Sequence, residues 1–254
     1  LNINDTTKNK YKYSFRSPEE YFRHPLCWRS QALFVFTVGE ISQEINLLFS
    51  FLKGLNLPVL NITPSFNKIV LHFNTIENKD KSLDLLKSQI HNFKPSKKSS
   101  YQKIWKIPAC YDNSFALDIE NIQKLHNISK QDVINLHTNK IYYTYYIGFM
   151  PGFPYLGEVP SSLITPRLES PRVQIPARSV GIAKKHTCVY PKVSPGGWNI
   201  IAQVPFDIFD LSHPRASLFL PGDRVQFYSI TLSEFEDIQK CKLPFQDLIK
   251  EYSQ

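Results

Sequence analysis

The chain is sparing with glycine. Only nine occur in 254 residues, and seven of them, Gly148, Gly152, Gly157, Gly181, Gly196, Gly197 and Gly222, fall in one stretch. It also lacks an apolar run of the about 18 residues that a membrane-spanning helix needs, so no membrane partner is expected. A G-x-x-x-x-G-K-[ST] phosphate loop is absent, which argues against tight ATP binding by this chain alone. There is no G-x-S-x-G nucleophile elbow. No His/Cys/Asp cluster has zinc spacing, so no metal is expected. The four cysteines, Cys27, Cys110, Cys188 and Cys241, are far apart, and no pair has metal or redox spacing. Leu1–Ser17 is polar and carries Lys8, Lys10, Lys12 and Arg16 without the apolar middle of an export signal. The chain opens on Leu1 and not on methionine, which suggests a missing or trimmed start. Together these features point to reduced thiols in a cytoplasm.

The formal charge is +8. Its lysines are spread along the chain among many asparagines, and the one dense cluster, Lys94–Lys98, sits beside Pro95 and Ser96 and reads as a loop. Nucleic acid is therefore not an expected partner.

Periodicity places a strand at Ala32–Val38. A helix follows, capped by Ser42, with Ile45, Leu48, Phe49 and Leu52 on one face and Gly54 as its stop. Strands at Pro58–Ile62 and Lys68–Phe73, a helix over Lys81–Phe93 and a strand at Tyr101–Ile107 complete a β-α-β-β-α-β order, the split pattern of ferredoxin-like domains. Tyr11–Trp28 reads as an irregular wrap. Two short helices come next, one carrying Ile119, Ile122 and Leu125, the other capped by Ser129 with Asp132 three residues on. From Tyr142 the pattern turns to short strands, Tyr142–Ile147, Val180–Ala183, Asn199–Ala202 and Arg224–Tyr228, separated by Pro-rich loops, as in a barrel or sandwich. Ser233 with Glu236 is expected to cap a last helix that breaks near Pro244. The run Tyr142, Tyr143, Tyr145, Tyr146 puts rings on both faces of one strand. Either one face meets a partner, or both are buried.

The chemistry-bearing residues lie between Gly148 and Gly222. Ser194-Pro195-Gly196-Gly197-Trp198 reads as an anion-binding nest walled by Trp198, or equally as a tight turn anchored by that tryptophan. Arg172 and Arg178, with Ser179, flank Pro176; arginine forks suit carboxylates, and surface ion pairs are the alternative. Arg172 is expected to be exposed and dispensable for folding. His186 and His213 could serve as bases or be structural. Phe149 and Phe153 are further candidates for substrate binding. Asp223, after Pro221-Gly222, reads as a turn residue. If Gly148–Gly157, Arg172–Ser179 and Ser194–Trp198 converge, they form one concave surface.

The ordered motifs Gly148–Gly157, Pro171–Ala183, Thr187–Pro191, Ser194–Trp198 and Pro221–Phe227 resemble the family of allophanate hydrolase subunit 1 and the B-type 5-oxoprolinase subunit, which includes a Kip-type kinase inhibitor and carboxyltransferase subdomain C-like proteins. The resemblance implies an α+β chain: a ferredoxin-like βαββαβ domain over 1–110, a helical bridge over 111–139, a cyclophilin-like β-barrel over 140–232 and a C-terminal helix over 233–254. It further implies a subunit of an ATP-dependent 5-oxoprolinase that opens 5-oxoproline to glutamate. Its partners would be a homologous second subunit, of the kind of allophanate hydrolase subunit 2 or the C-type 5-oxoprolinase subunit, and a third oxoprolinase subunit. Inhibition of a sensor histidine kinase and a urea carboxylase-related role are the alternatives. The chain departs from the family's usual residues at Ala177-Arg178, Lys184-Lys185, His186, Cys188 and Arg29-Ser30.

Overall fold

The computed structural model describes residues 11–16, 32–38, 44–65, 68–90, 93 and 104–253. Residues 17–31, with Cys27 and the Arg29-Ser30 pair, the Ser42 cap and the Lys94–Lys98 cluster lie outside them. The chain divides into two compact units, 1–99 and 100–254.

In the first unit, β1 (Tyr11–Arg16), β2 (Ala32–Val38), β3 (Asn61–Pro64) and β4 (Lys68–Phe73) form an antiparallel sheet in the order β1-β2-β4-β3. Helices α1 (Glu44–Gly54) and α2 (Ile76–Ile90) contribute Ile45, Leu48, Leu52, Leu86 and Ile90 to a core shared with Ile69, Leu71 and Phe73 of β4. The strand expected at Pro58–Ile62 forms three residues later, because the Leu57-Pro58 segment still closes the turn after α1. Two readings change here. Part of the expected wrap, Tyr11–Arg16, is a strand paired along its whole length with β2. The strand assigned to this domain at Tyr101–Ile107 instead runs as β5 (Ile104–Cys110) in the second unit.

The second unit is a closed seven-stranded barrel, in the order β10-β7-β6-β13-β5-β12-β9. Its remaining strands are β6 (Ile141–Ile147), β7 (Pro154–Gly157), β9 (Ser179–Ala183), β10 (His186–Val189), β12 (Asn199–Gln203) and β13 (Arg224–Ile230). All neighbouring strands pair antiparallel except β5 and β13, which run parallel over seven residue pairs from Arg224↔Ile104 to Ile230↔Cys110. Closure removes free sheet edges. A separate two-stranded ribbon pairs β8 (Arg172–Ile175) with β11 (Ser194–Gly196). The interior is filled by Trp105, Ile107, Tyr142, Leu156, Val180, Ile182, Ile201, Val225 and Phe227.

Helices α3 (Ile119–His126) and α4 (Lys130–Thr138) pack on this core through Ile119, Ile122, Val133 and Ile134, and α4 opens on the expected Ser129/Asp132 capping box. The C-terminal helix breaks at Pro244 into α5 (Leu232–Cys241) and α6 (Phe245–Tyr252). Its cap is Thr231 with Glu234, not Ser233 with Glu236. Both pairs fit the capping box, but only the Thr231 register puts Ile230 and Phe235 at the staple positions, where they share a buried cluster with Cys110. On the tyrosine strand Tyr142, Tyr143 and Tyr145 are buried and Tyr146 is half-buried, so rings on both faces pack within the unit. No helix among the described residues is long and apolar enough to cross a membrane.

Candidate functional site

Three segments distant in sequence meet on the barrel. Phe153 from the first, Ile175 from the second and Trp198 from the third share one buried cluster with Cys188, Tyr190 and Ile200, and Met150 and Tyr155 pack against it. Phe153 is the hub. Its ring lies edge-on to Tyr190 at 5.0 Å, to Trp198 at 5.8 Å and to Phe149 at 5.4 Å. Phe149 itself is 64% exposed, on a backbone with φ of 70°. Tyr146 and Tyr155 stack with centroids 4.4 Å apart, and Tyr155 meets Trp198 edge-on at 5.7 Å.

The Gly-Gly turn does not form a nest. Ser194–Gly196 is extended as β11, with Ser194 opposite Ile175 and Gly196 opposite Arg172 across an irregular register. Neither Gly196 nor Gly197 occupies the left-handed region, so the right- and left-handed alternation that turns successive N–H groups toward one anion is missing. The glycine at 196 serves close approach: a Cβ there would run into the Tyr190 phenol oxygen and lie 2.8 Å from Ile175 Cδ1. At Gly197 a Cβ would meet nothing closer than 3.6 Å. Ser194 is buried, and its Oγ has no hydrogen-bond partner among the described residues.

Arg172 is committed elsewhere. Its Nη1 and Nη2 donate to the two oxygens of Asp118, each at 2.7 Å, and Asp118 also accepts the Ile200 N–H at 2.7 Å. Asp118 is buried and precedes α3, but its side chain does not cap that helix. The hydrogen bonds to Asp118 raise the guanidinium pKa still further. This fork is occupied, and its removal strands a buried carboxylate, so the expectation that Arg172 is dispensable for folding is replaced.

The other expected residues separate. Arg178, at φ of 69°, donates to the Pro205 carbonyl at 3.1 Å and lies 3.9 Å from Asp207. It lines a cavity of about 690 Å³ with Lys192, Phe209, Leu211 and Lys242, which excludes the aromatic cluster. Ser179 is buried at the start of β9 opposite Gln203. His186 is buried beside Tyr145 at 5.9 Å; burial lowers its pKa, against an opposing pull from Glu158. His213 accepts the Arg215 N–H through Nδ1 at 3.1 Å and packs on Phe245 at 5.1 Å, a turn role. Asp223 accepts from Trp105, Leu220 and Arg215 and fixes its turn, as the sequence indicates.

Two residues escaped sequence reasoning. His137 on α4 is fully buried between Tyr111 at 2.7 Å and Thr187 at 3.0 Å and stacks on Phe227, and burial holds its pKa down at about 3. It ties α4 to the barrel as a neutral imidazole. Arg167 lies in the Pro-rich loop before β8, with its guanidinium 6.0 Å from the Trp198 ring centroid. Only its place between Pro166 and the Arg172 segment marks it in the sequence, and that signal is weak. Among the described residues, no group of three or more His, Cys, Asp or Glu side chains is placed to hold a metal ion. The described cysteines, Cys110, Cys188 and Cys241, are free.

Residues 32–219 match the family described as carboxyltransferase domain, subdomain C and D. The chain is 41% identical over 134 residues to the B-type 5-oxoprolinase subunit of Bacillus subtilis, which covers 53% of this chain and 56% of that protein. It thus spans a little over half the length of the curated relatives it matches. A conserved uncharacterized protein from Pyrococcus horikoshii, PH0987, is 34% identical with a TM-score of 0.51, covering 80% of this chain and 96% of that one. The urea amidolyase of K. lactis shares the fold at a TM-score of 0.65 and 18% identity, covering 87% of this chain and 15% of that one. The chain belongs to the family of the carboxyltransferase domain, subdomain C and D.

Proposed function

We propose that this chain is the B-type subunit of a 5-oxoprolinase and acts only when assembled with a homologous C-type subunit and a third, oxoprolinase-like subunit. The observation that carries this reading is the 41% identity to a protein named as the B-type subunit of 5-oxoprolinase. The reaction adds water across the lactam C–N bond of 5-oxoproline, giving the γ-carboxylate and the free amine of glutamate. Hydrolysis of ATP by the complex drives it, with the amide oxygen activated before water attacks.

The aromatic cluster suits a share in this work. A flat five-membered lactam offers its faces to rings such as Tyr155 and Trp198, and a desolvated wall strengthens whatever polar contacts the assembled site supplies. Nucleotide binding is assigned to the assembly, because the chain has no phosphate loop. The test is genetic. A bacterium deleted for its own B-type gene is grown on 5-oxoproline as sole nitrogen source with this chain supplied in trans beside the other two subunits. Growth restored by the chain supports the reading; no growth with all three subunits expressed and folded rejects it.

A further inference from the structure

Arg167 is held unusually firmly for an exposed residue. On one side the Pro166 carbonyl accepts from Asn199 Nδ2 at 2.8 Å. On the other, the Leu168 N–H donates to the Gly197 carbonyl at 2.8 Å. The Thr165 carbonyl just before accepts the Lys184 N–H at 2.6 Å. Three hydrogen bonds therefore pin the backbone around Arg167 to the Gly197–Asn199 segment and to the β9–β10 turn. Gly197 and Asn199, two positions of the Gly-Gly-Trp motif region, thus carry the loop that presents this arginine.

The guanidinium itself has no carboxylate partner among the described residues. It lies against the Trp198 ring at 6.0 Å, in the range of a cation–π contact. Its charge is felt by the phenols of Tyr146, Tyr155 and Tyr190 and by the Cys188 thiol, all pushed up chiefly by burial and drawn back by Arg167. A cation without an acid among the described residues, on a fixed backbone and beside stacked rings, is a site built for an anion with a flat body. Arg172, by contrast, has spent both prongs of its fork on Asp118.

We infer that Arg167 is the carboxylate-binding residue of a small-acid site walled by Trp198 and the Tyr146–Tyr155 pair, and that its ligand class is a monocarboxylate on a five-membered lactam. This rests on the 5-oxoprolinase reading for the identity of the ligand. The carboxylate takes the guanidinium fork, and the ring lies along the aromatic wall.

The assembled three-subunit complex is prepared with wild-type chain and with R167M and R167K. Binding of 5-oxoproline without ATP is measured by calorimetry, and turnover by glutamate release. The uncharged carboxamide of 5-oxoproline serves as the comparison ligand. Loss of one charge-assisted contact predicts a dissociation constant and KM raised about 10- to 100-fold in R167M, with kcat within about threefold of wild type. R167K should recover part of the loss, since it keeps the charge but not the fork. The wild-type preference for acid over carboxamide should vanish in R167M. Equal binding and KM in R167M and wild type overturn the assignment while leaving the 5-oxoprolinase reading intact. Binding that depends on Arg167 in a complex that never releases glutamate does the reverse. No binding by the wild-type complex overturns the site. Arg167 makes no side-chain hydrogen bond among the described residues, so R167M should melt within a few degrees of wild type, which separates ligand loss from misfolding.

Discussion

Replacing Arg172 by alanine tests whether this arginine belongs to the fold. Asp118 is 2% exposed at its side chain and receives two N–H donors from Arg172 and one from Ile200. Removing the guanidinium leaves a buried carboxylate with one strong donor. Breaking a buried pair from one side costs about 3 to 5 kcal/mol. The Arg172 side chain is 31% exposed, so water replaces part of what is lost, and about 2 to 3 kcal/mol is the expected cost. For a unit of this size that is a fall of roughly 4 to 12 °C in melting temperature. Urea unfolding should show a lower midpoint with an unchanged slope. Adding Asp118→Asn to Arg172→Ala should recover part of the stability, because a neutral amide is cheaper to leave with one donor than a charge. A melting temperature within about 2 °C of wild type for Arg172→Ala would refute the reasoning. It would mean that Asp118 is solvated, and Arg172 would again be free to hold a ligand.

Gly196→Ala should destabilise by about 1 to 3 kcal/mol through overpacking against Tyr190 and Ile175, and Tyr190→Phe should relieve part of it; Gly197→Ala should cost under about 1 kcal/mol, and the reverse ranking by urea titration would undo the close-approach account. Stability should also fall with acid. His137 stays neutral in the folded barrel to about pH 3, whereas the unfolded chain protonates it below 6.5. The contribution is therefore complete above pH 6.5 and shrinks as pH drops towards 3, by about 2 kcal/mol at pH 5. His186, also lowered by burial, adds a loss of the same sign. His137→Gln should flatten the urea midpoint between pH 7 and 5, and an unchanged slope would show that this histidine is solvated. Calorimetry of ATP against the isolated chain should give no binding at micromolar nucleotide, whereas a micromolar constant would reveal a phosphate site in the chain itself.

Much of the local structure was legible in the residues. Lys68–Phe73 alternates and is a strand of the same bounds; Ser129 and Asp132 have capping-box spacing and form one. What periodicity could not supply was the partner. Tyr101–Ile107 reads as a strand, but the strand that forms, Ile104–Cys110, has its parallel mate at Arg224–Ile230, more than a hundred residues on, so nothing local assigns it to the barrel. The same limit governed the site. The Gly148–Trp198 motifs marked the aromatic cluster because glycine and proline concentrate where chains approach closely. They did not say which arginine is free. Arg167 and Arg172 both follow prolines in one loop region, and the acid that separates them, Asp118, lies 54 residues before Arg172. The nest failed for a related reason: Gly196 is glycine to admit the Tyr190 hydroxyl, and a dipeptide does not disclose whether its glycines serve a left-handed turn or a close contact.

The most direct test of the central claim is glutamate release from 5-oxoproline and ATP by purified subunits, measured with this chain present and with it omitted. Turnover is expected only when this chain and both partner subunits are combined. Release at an equal rate without it would exclude this chain from the catalytic assembly.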